Sequence, residues 1–318
     1  MPTLLANPTE TAPAGPLVTV IVPCYNHARY LRECIDSVLA QDHAPLEIIV
    51  VDDGSTDGSI DILRSYGERI TLLRQRGGRQ ARARNIGLGA ARGALVAFLD
   101  SDDRYLPGRI RAAVEAFRAD PQAEVVWADY RLIDADGAVT SETRWSAREQ
   151  DFRRELIAGN PICNATVTVR RPVLDEIGGF DERVPRACDG AAWYQIAARG
   201  RRFVHLDRLV LDYRIHGAND STRFAPMTRE RDTALTAGAQ AYVRFGVISA
   251  AADKAWLRDV LVRQLSFRAA AWAQRQRSQG WWSEARARLY ETLGSDAGLR
   301  MFARLQALKH VLLRRSAA

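Results

Sequence analysis

No apolar stretch in the 318 residues approaches the roughly 20 residues that a helix needs to cross a bilayer. The opening MPTLLANPTETAPAGP has neither a basic start nor a long apolar centre, so no export signal is read and residues 1–16 are expected to be a disordered leader. Cysteine is sparse: Cys24, Cys34, Cys163 and Cys188 are scattered without CxxC spacing. That excludes the usual zinc patterns and a disulfide framework, and it points to reduced thiols in the cytoplasm. The first apolar run is followed by PCYNHARY and not by GxGxxG, which argues against a dinucleotide-binding oxidoreductase. Zinc-finger spacing, aromatic RNA-binding strand signatures and basic heptads are missing as well, so specific nucleic-acid recognition is not expected. Acid is in deficit: 45 Lys and Arg against 38 Asp and Glu give a formal net charge of +7. This balance suits a phosphorylated small molecule or an anionic membrane face, and a solvated basic surface accounts for it equally well.

What is present is enough apolar content, 47%, for an ordinary globular core. From Leu17 to Leu99, β-branched runs alternate with helical spacing, the signature of parallel strands joined by crossover helices. LVTVIVP reads as the first strand. Asn26 is a candidate cap for a helix whose Leu31, Cys34, Ile35, Val38 and Leu39 share one face. LEIIVV is a second strand ending in DDGSTDGS, ITLLRQ a third feeding GGRQARARNIGLGAARG, a helix that Gly93 is expected to end, and ALVAFLD a fourth. In an open α/β sheet ligands bind outside the carboxyl ends of the strands, so YNH, DDGS and DSDD should meet at one crevice.

The fourth strand runs into VAFLDSDDRYLPG, where Asp100, Asp102 and Asp103 precede a helix with Pro107 in its first turn and Ile110, Ala113, Val114 and Phe117 on its apolar side. These carboxylates are either turn and helix-start acids or hard oxygen ligands for a divalent cation carrying a phosphorylated substrate. Short strands around the turn DADG predict a mixed, antiparallel second half. Beyond Phe224 the composition shifts to Ala, Arg, Leu and Trp, with helical periodicity in 252–275, 281–293 and 298–314. The expected division is therefore 17–227 for the main domain and 228–318 for a helical region. In the latter Trp256, Trp272, Trp281 and Trp282 read as packing residues, and KHVLLRR reads as a solvated helix end or a contact with the inner membrane face.

Taken in order, VIVPCYNHARYLRECIDSVLAQ, IIVVDDGSTDGS and ARNIGLGAARGALVAFLDSDD resemble the family 2 glycosyltransferases of the GT-A fold over about residues 17 to 216. The resemblance implies an α/β, Rossmann-like GT-A domain with a C-terminal helical appendage. It also implies an inverting transferase that moves a sugar from a nucleotide-diphosphate sugar to the hydroxyl of a glycan, lipid-linked or other acceptor, using Mn²⁺ or Mg²⁺. A carboxylate at a strand end suits a pyrimidine ring N–H, so Asp52 or Asp53 would accept from a UDP- or TDP-type base, with Pro23 and Tyr25 as the apolar wall; turn capping explains either acid as well. Arg79 and Arg84 can pair with phosphates or stand as surface charge. Asp100 and Asp102 match the DxD element, Asp102 as the direct metal ligand and Asp100 nearer the ribose, while Asp103 assists or caps the next helix.

YRIHGANDS resembles the family's YRxHxxNxS element, which makes His216 a further ligand candidate beside an ordinary structural role. GGFDERVPRACDGAAWYQIAARG resembles the segment that carries the general base. Asp189 matches that base, and Cys188 departs from the family where an acid is usual. Asp181 is the fallback base, and Gly178 and Gly179 would allow close approach of backbone to a sugar. A catalytically weak nucleotide-sugar binding protein is the alternative that Cys188 raises.

Overall fold

Two apolar clusters, one on each face of a single mixed sheet, account for the arrangement of the chain. The computed structural model describes residues 15–77, 79–146, 151–217, 219, 224–250, 252–261 and 264. The first half is the expected alternation: β1 (Val18–Cys24), α1 (Ala28–Leu39), β2 (Leu46–Asp52), α2 (Ser59–Arg64), β3 (Thr71–Arg74), α3 (Arg79–Ala90) and β4 (Leu95–Phe98). β1 pairs in parallel with β2 and with β4, and β2 with β3. Alternate side chains point to opposite faces of a strand. Ile21, Ile49, Val51, Val96 and Phe98 accordingly pack on one face, with Val18, Val20, Val22, Ile48 and Val50 on the other. Covering both faces with helices is what lets these strands read as near-continuous apolar runs.

The second half adds β5 (Arg104–Tyr105), α4 (Arg109–Ala119), β6 (Val125–Ile133), β7 (Val139–Thr143), α5 (Phe152–Gly159), β8 (Thr168–Arg170), α6 (Arg171–Glu176), α7 (Cys188–Ala198), β9 (Phe203–Arg214) and α8 (Phe224–Arg244). β8 lies antiparallel between β4 and β6, β6 forms the expected hairpin with β7, and β9 runs parallel to β6. The sheet order is β3-β2-β1-β4-β8-β6-β9-β5. Two reversals through β8 return β6 to the direction of β4, so β9 ends on the same edge as β1, β2 and β4.

Local details depart from the sequence reading for identifiable reasons. His27, not Asn26, is the cap of α1, because Asn26 is turned to the loop after β2. Pro107 precedes α4, whose cap is Gly108 in the left-handed region at φ 76°. Asp103 does not cap that helix; its Oδ1 accepts from the backbone N–H of Arg214, 2.7 Å away. Gly93 lies beyond the end of α3, and its lack of a side chain serves packing: a Cβ there would come 2.6 Å from the backbone nitrogen of Thr19 and 2.7 Å from the carbonyl oxygen of Leu95. Gly93→Ala is therefore expected to destabilise the protein by about 1–3 kcal/mol through overpacking against backbone, read as a lower urea midpoint at unchanged slope.

The expected division at 227/228 falls inside α8. Ala234, Leu235, Ala239 and Tyr242 of that helix join the apolar cluster that holds Trp193 and Tyr194 of α7, and the Tyr242 hydroxyl donates to the Arg153 carbonyl at 3.0 Å. Residues 252–261 are helical, and Trp256 packs partly buried with the Arg154 guanidinium over its ring. The leader up to residue 14, Trp272, Trp281, Trp282, the helical periods beyond 264 and the KHVLLRR end lie outside the described residues. Among the described residues no helix is long and apolar enough to cross a membrane.

Candidate functional site

The strand ends of β1, β2, β4 and β9 bring four loops to one edge of the sheet. Asn26 ties the first two together. It sits in the left-handed region at φ 54°, which asparagine tolerates better than most residues. Its Oδ1 accepts from the N–H of Thr56 at 2.7 Å, and its own N–H donates to Ser55 Oγ at 3.0 Å.

The two aspartates of the second loop divide their work. Asp52 is fully buried, and its carboxylate accepts from the N–H groups of Ser55 and Gly54 and from Arg74 Nε at 3.0 Å. It forms the turn and presents no surface to a ligand, which removes it from the expected nucleotide contacts. Asp53 is half-buried and accepts from the backbone N–H of Arg79 at 2.7 Å. Arg79 is exposed, with a left-handed φ of 59°. Pro23 is buried in β1, whereas Tyr25 is 55% exposed at the mouth of the crevice.

Arg84 is not surface charge. Its side chain is buried, with Nη2 2.8 Å from Asp100 Oδ1 and Nη1 donating to Cys188 Sγ at 3.2 Å. Burial opposes its charge, but Asp100, Cys188 and Asp189 together raise its pKa above the ordinary guanidinium value. Arg84 thus joins the DSDD turn to the start of α7, and Asp100 is engaged with it and not with its neighbour Asp102. Burial in turn pushes the Cys188 thiol up to about 12 even beside Arg84, so it stands as a neutral thiol and offers no substitute for the missing acid.

Asp102 meets two imidazoles. Its Oδ2 lies 3.0 Å from His216 Nε2 and 4.0 Å from His27 Nε2, and one ligand atom from each of the three residues falls within 4.8 Å of the others. His27 Nδ1 is 2.7 Å from Ser101 Oγ, and Asn219 Nδ2 donates to Asp102 Oδ2 at 3.3 Å. Arg214 fixes the backbone beneath. Its N–H bonds Asp103 Oδ1, its Nε donates to the Asp102 carbonyl at 2.8 Å, its Nη2 donates to Glu33 at 2.8 Å, and its guanidinium lies 4.6 Å over the Tyr30 ring. Tyr30 in turn lies 5.0 Å, centroid to centroid, from the His216 ring. Buried beside Asp102 and Asp100, Asp103 has its pKa driven well above the carboxylate range. Two imidazole nitrogens and a carboxylate oxygen fit a borderline divalent cation such as Mn²⁺ better than Mg²⁺, which prefers oxygen ligands.

His27 was not legible as a site residue, because nothing in YNHARY distinguishes a ligand from a helix-cap histidine. Asn219 and Arg214 lay within the YRIHGANDS element without an assigned part. Asp189 stands in the first turn of α7, half-buried, and its carboxylate makes no hydrogen bond or ion pair with the described residues. Asp181 is committed elsewhere: Arg183 grips both its oxygens, at 2.9 and 2.8 Å, and holds its pKa below the usual value. Gly178 and Gly179 both have left-handed φ, but the close neighbour of Gly179 is Asn85, whose Oδ1 would lie 2.6 Å from a Cβ there. Gly179 thus answers to packing against α3, while Gly178 has open space around it and answers to its left-handed backbone alone.

Comparison with known proteins agrees with this architecture. An uncharacterized glycosyltransferase of Nostoc sp. is 35% identical over 234 residues, 70% of this chain and 71% of its own length. Staphylococcus aureus TarS (residues 1–349), solved in complex with UDP-GlcNAc, superposes with a TM-score of 0.71 at 18% identity, covering 93% of this chain and 89% of that one. A mannosyltransferase of Pyrobaculum calidifontis, solved with GDP-Man and Mn²⁺, superposes with a TM-score of 0.57 at 22% identity over 95% of this chain and 88% of its own. The profile described as glycosyl transferase family 2 matches residues 19–178, and with the Nostoc relative it establishes that this chain belongs to that family, a glycosyltransferase built on the GT-A fold.

Proposed function

We propose that this glycosyltransferase moves a sugar from a nucleotide-diphosphate sugar, of UDP or TDP type, to an acceptor hydroxyl with inversion at the anomeric carbon. The observation that carries the reading is the convergence of His27, Asp102 and His216 within 4.8 Å at the strand-end crevice, linked through Asp100 and Arg84 to the turn that bears Asp189. The donor class is supported by the UDP-GlcNAc and GDP-Man complexes of the structural neighbours. The pyrimidine preference rests on Asp53 as an acceptor for a ring N–H, with Tyr25 as the exposed aromatic wall. A glycan or lipid-linked hydroxyl is the acceptor class the family implies, with the helical region from about 228 onward supplying acceptor or inner-membrane contacts.

In this reading His27, Asp102 and His216 hold the cation, and Asn219 and Ser101 orient the ligand side chains. When bound, the cation neutralises the charge that gathers on the departing diphosphate. Arg79, exposed and tied to Asp53 through its backbone N–H, offers planar donors that suit phosphate oxygens. Asp189 takes the acceptor's hydroxyl proton as that oxygen attacks the anomeric carbon and the bond to the diphosphate breaks. Cys188 contributes no proton transfer, so the base works without an acidic neighbour.

His27→Ala is expected to raise the Mn²⁺ concentration for half-maximal donor binding by at least the roughly 10–100-fold that losing a partner of a metal ligand costs, with donor affinity recovered at saturating Mn²⁺, measured by calorimetry across a metal series. To test the function, the enzyme is incubated with Mn²⁺, UDP-, TDP- and GDP-sugars and a panel of glycan acceptors, and the product is read by NMR. Acceptor-dependent nucleoside diphosphate release and an inverted anomeric centre are expected. A retained configuration overturns the single-displacement mechanism, and binding without any transfer favours the weak binding protein that Cys188 suggests.

A further inference from the structure

Asn164 stands out among the asparagines of the described chain. Asn26, Asn85, Asn160 and Asn219 each use the side-chain oxygen to accept from a backbone N–H. Asn164 is 5% exposed, and neither its Oδ1 nor its Nδ2 has a hydrogen-bond partner among the described residues. A carboxamide offers two donors and an acceptor, and leaving all of them buried and unpaired opposes folding. Native chains keep such groups where a ligand or an ordered water takes the bonds.

Its position says which ligand. β8 pairs antiparallel with β4, with Ala97 opposite Thr168. Because β8 runs against β4, the tight turn Asn164–Thr166 that leads into β8 lies at the end of the sheet where β4 opens into the DSDD turn. The turn packs on β4, β6 and β9, of which β4 and β9 open into the crevice. Its neighbour Cys163 lies in the field of Asp103, Asp100 and Asp189 together. Asn164 thus stands on the crevice edge of the sheet, next in sequence to a residue that feels both the carboxylate turn, where the diphosphate would lie, and Asp189, where the acceptor would be deprotonated. What must occupy the space between a leaving diphosphate and the base of an in-line displacement is the sugar ring in transit, whose hydroxyls both donate and accept.

We propose that Asn164 is a specificity-determining residue that hydrogen-bonds the hydroxyl or acylamino groups of the transferred sugar. This rests on the donor reading above and adds to it a residue that separates sugar recognition from nucleotide recognition. A buried site built to bond a hydroxyl discriminates strongly against sugars lacking it, because its own polar atoms are then left unpaired.

The test compares wild type with Asn164→Leu, nearly equal in size, and Asn164→Ala. Calorimetry with Mn²⁺ present measures UDP, GDP, UDP-GlcNAc, UDP-Glc and GDP-Man, and thermal unfolding is followed without ligand. Free-nucleotide affinity should be unchanged in both variants, while the best nucleotide sugar binds about tenfold more weakly or worse. The Tm of Asn164→Leu should equal or exceed that of wild type, since an unpaired buried amide has been removed. Equal nucleotide-sugar affinity in wild type and variants overturns the proposal. So does a change confined to the acceptor KM, and so does a Tm loss in the Leu variant with binding intact, which marks a structural amide bonded through water. Failure of wild type to bind any of the nucleotide sugars removes the donor reading itself, and with it the ligand assigned to Asn164.

Discussion

Asp189→Asn is expected to leave the fold, metal binding and donor affinity near wild type while transfer falls by about 10²–10⁴-fold, or roughly 3–5 kcal/mol of barrier. The amide keeps the shape of the carboxylate and loses only its capacity to accept a proton. Little else should change, because the Asp189 carboxylate makes no bond with the described residues that the fold could miss. Asp181→Asn is the parallel control. It breaks the grip of Arg183 on a turn acid, and with Asp181 held ionised in that pair it should cost some local stability but little turnover. The measurement is single-turnover transfer beside donor calorimetry, since a base lost from the chemical step lowers the rate and spares binding. Loss of donor binding in Asp189→Asn makes the residue a donor contact, and near-normal transfer in both variants removes the GGFDE to CDG turn from the chemistry.

Asp102→Ala carries the other large effect. The carboxylate is the one anionic group among the three candidate ligands, and it lies within 3.0 Å of His216 Nε2 and 4.0 Å of His27 Nε2. Without it only two imidazoles remain, and the negative diphosphate has no bridging cation. Donor binding in Mn²⁺ should fall by well over the roughly 10–100-fold that losing a mere partner of a metal ligand costs, and turnover should drop to background. Asp103→Ala is the control in the same turn. The Asp103 oxygen accepts the Arg214 N–H across the sheet edge and alanine offers no acceptor, so this variant should unfold at lower temperature while still binding metal. An Asp102→Ala protein with wild-type Mn²⁺ dependence would move the cation elsewhere in the crevice.

The sheet and its crevice were legible because the determinants are local and repetitive. Leu31, Cys34, Ile35 and Val38 lie on the buried face that their spacing predicts, as do Ile110, Ala113, Val114 and Phe117. The chemistry was legible in part, through the order and spacing of YNH, DDGS and DSDD after apolar strands, although each short motif alone is common. What could not be read depends on partners far away in sequence. Asp103 looks like a helix-start acid until β9 delivers Arg214 to it, and Arg84 looks like surface charge until Asp100 and Cys188 close over it. His27 becomes a candidate ligand only because β9 ends at the same edge as β1 and brings His216 across. The division near 227 followed a shift of composition, and composition does not reveal that Leu235, Ala239 and Tyr242 pack on α7.

The most direct measurement is the titration of the wild-type protein with UDP-, TDP- and GDP-sugars by calorimetry, once in Mn²⁺ and once in chelator. Saturable binding of a nucleotide sugar in Mn²⁺, lost in chelator and restored when Mn²⁺ is returned, is the predicted result. Carboxylates and diphosphate repel one another across a small gap unless a cation lies between them. Binding of equal strength in chelator, or none to any nucleotide sugar in Mn²⁺, would contradict the account of this crevice as a metal-bridged donor site.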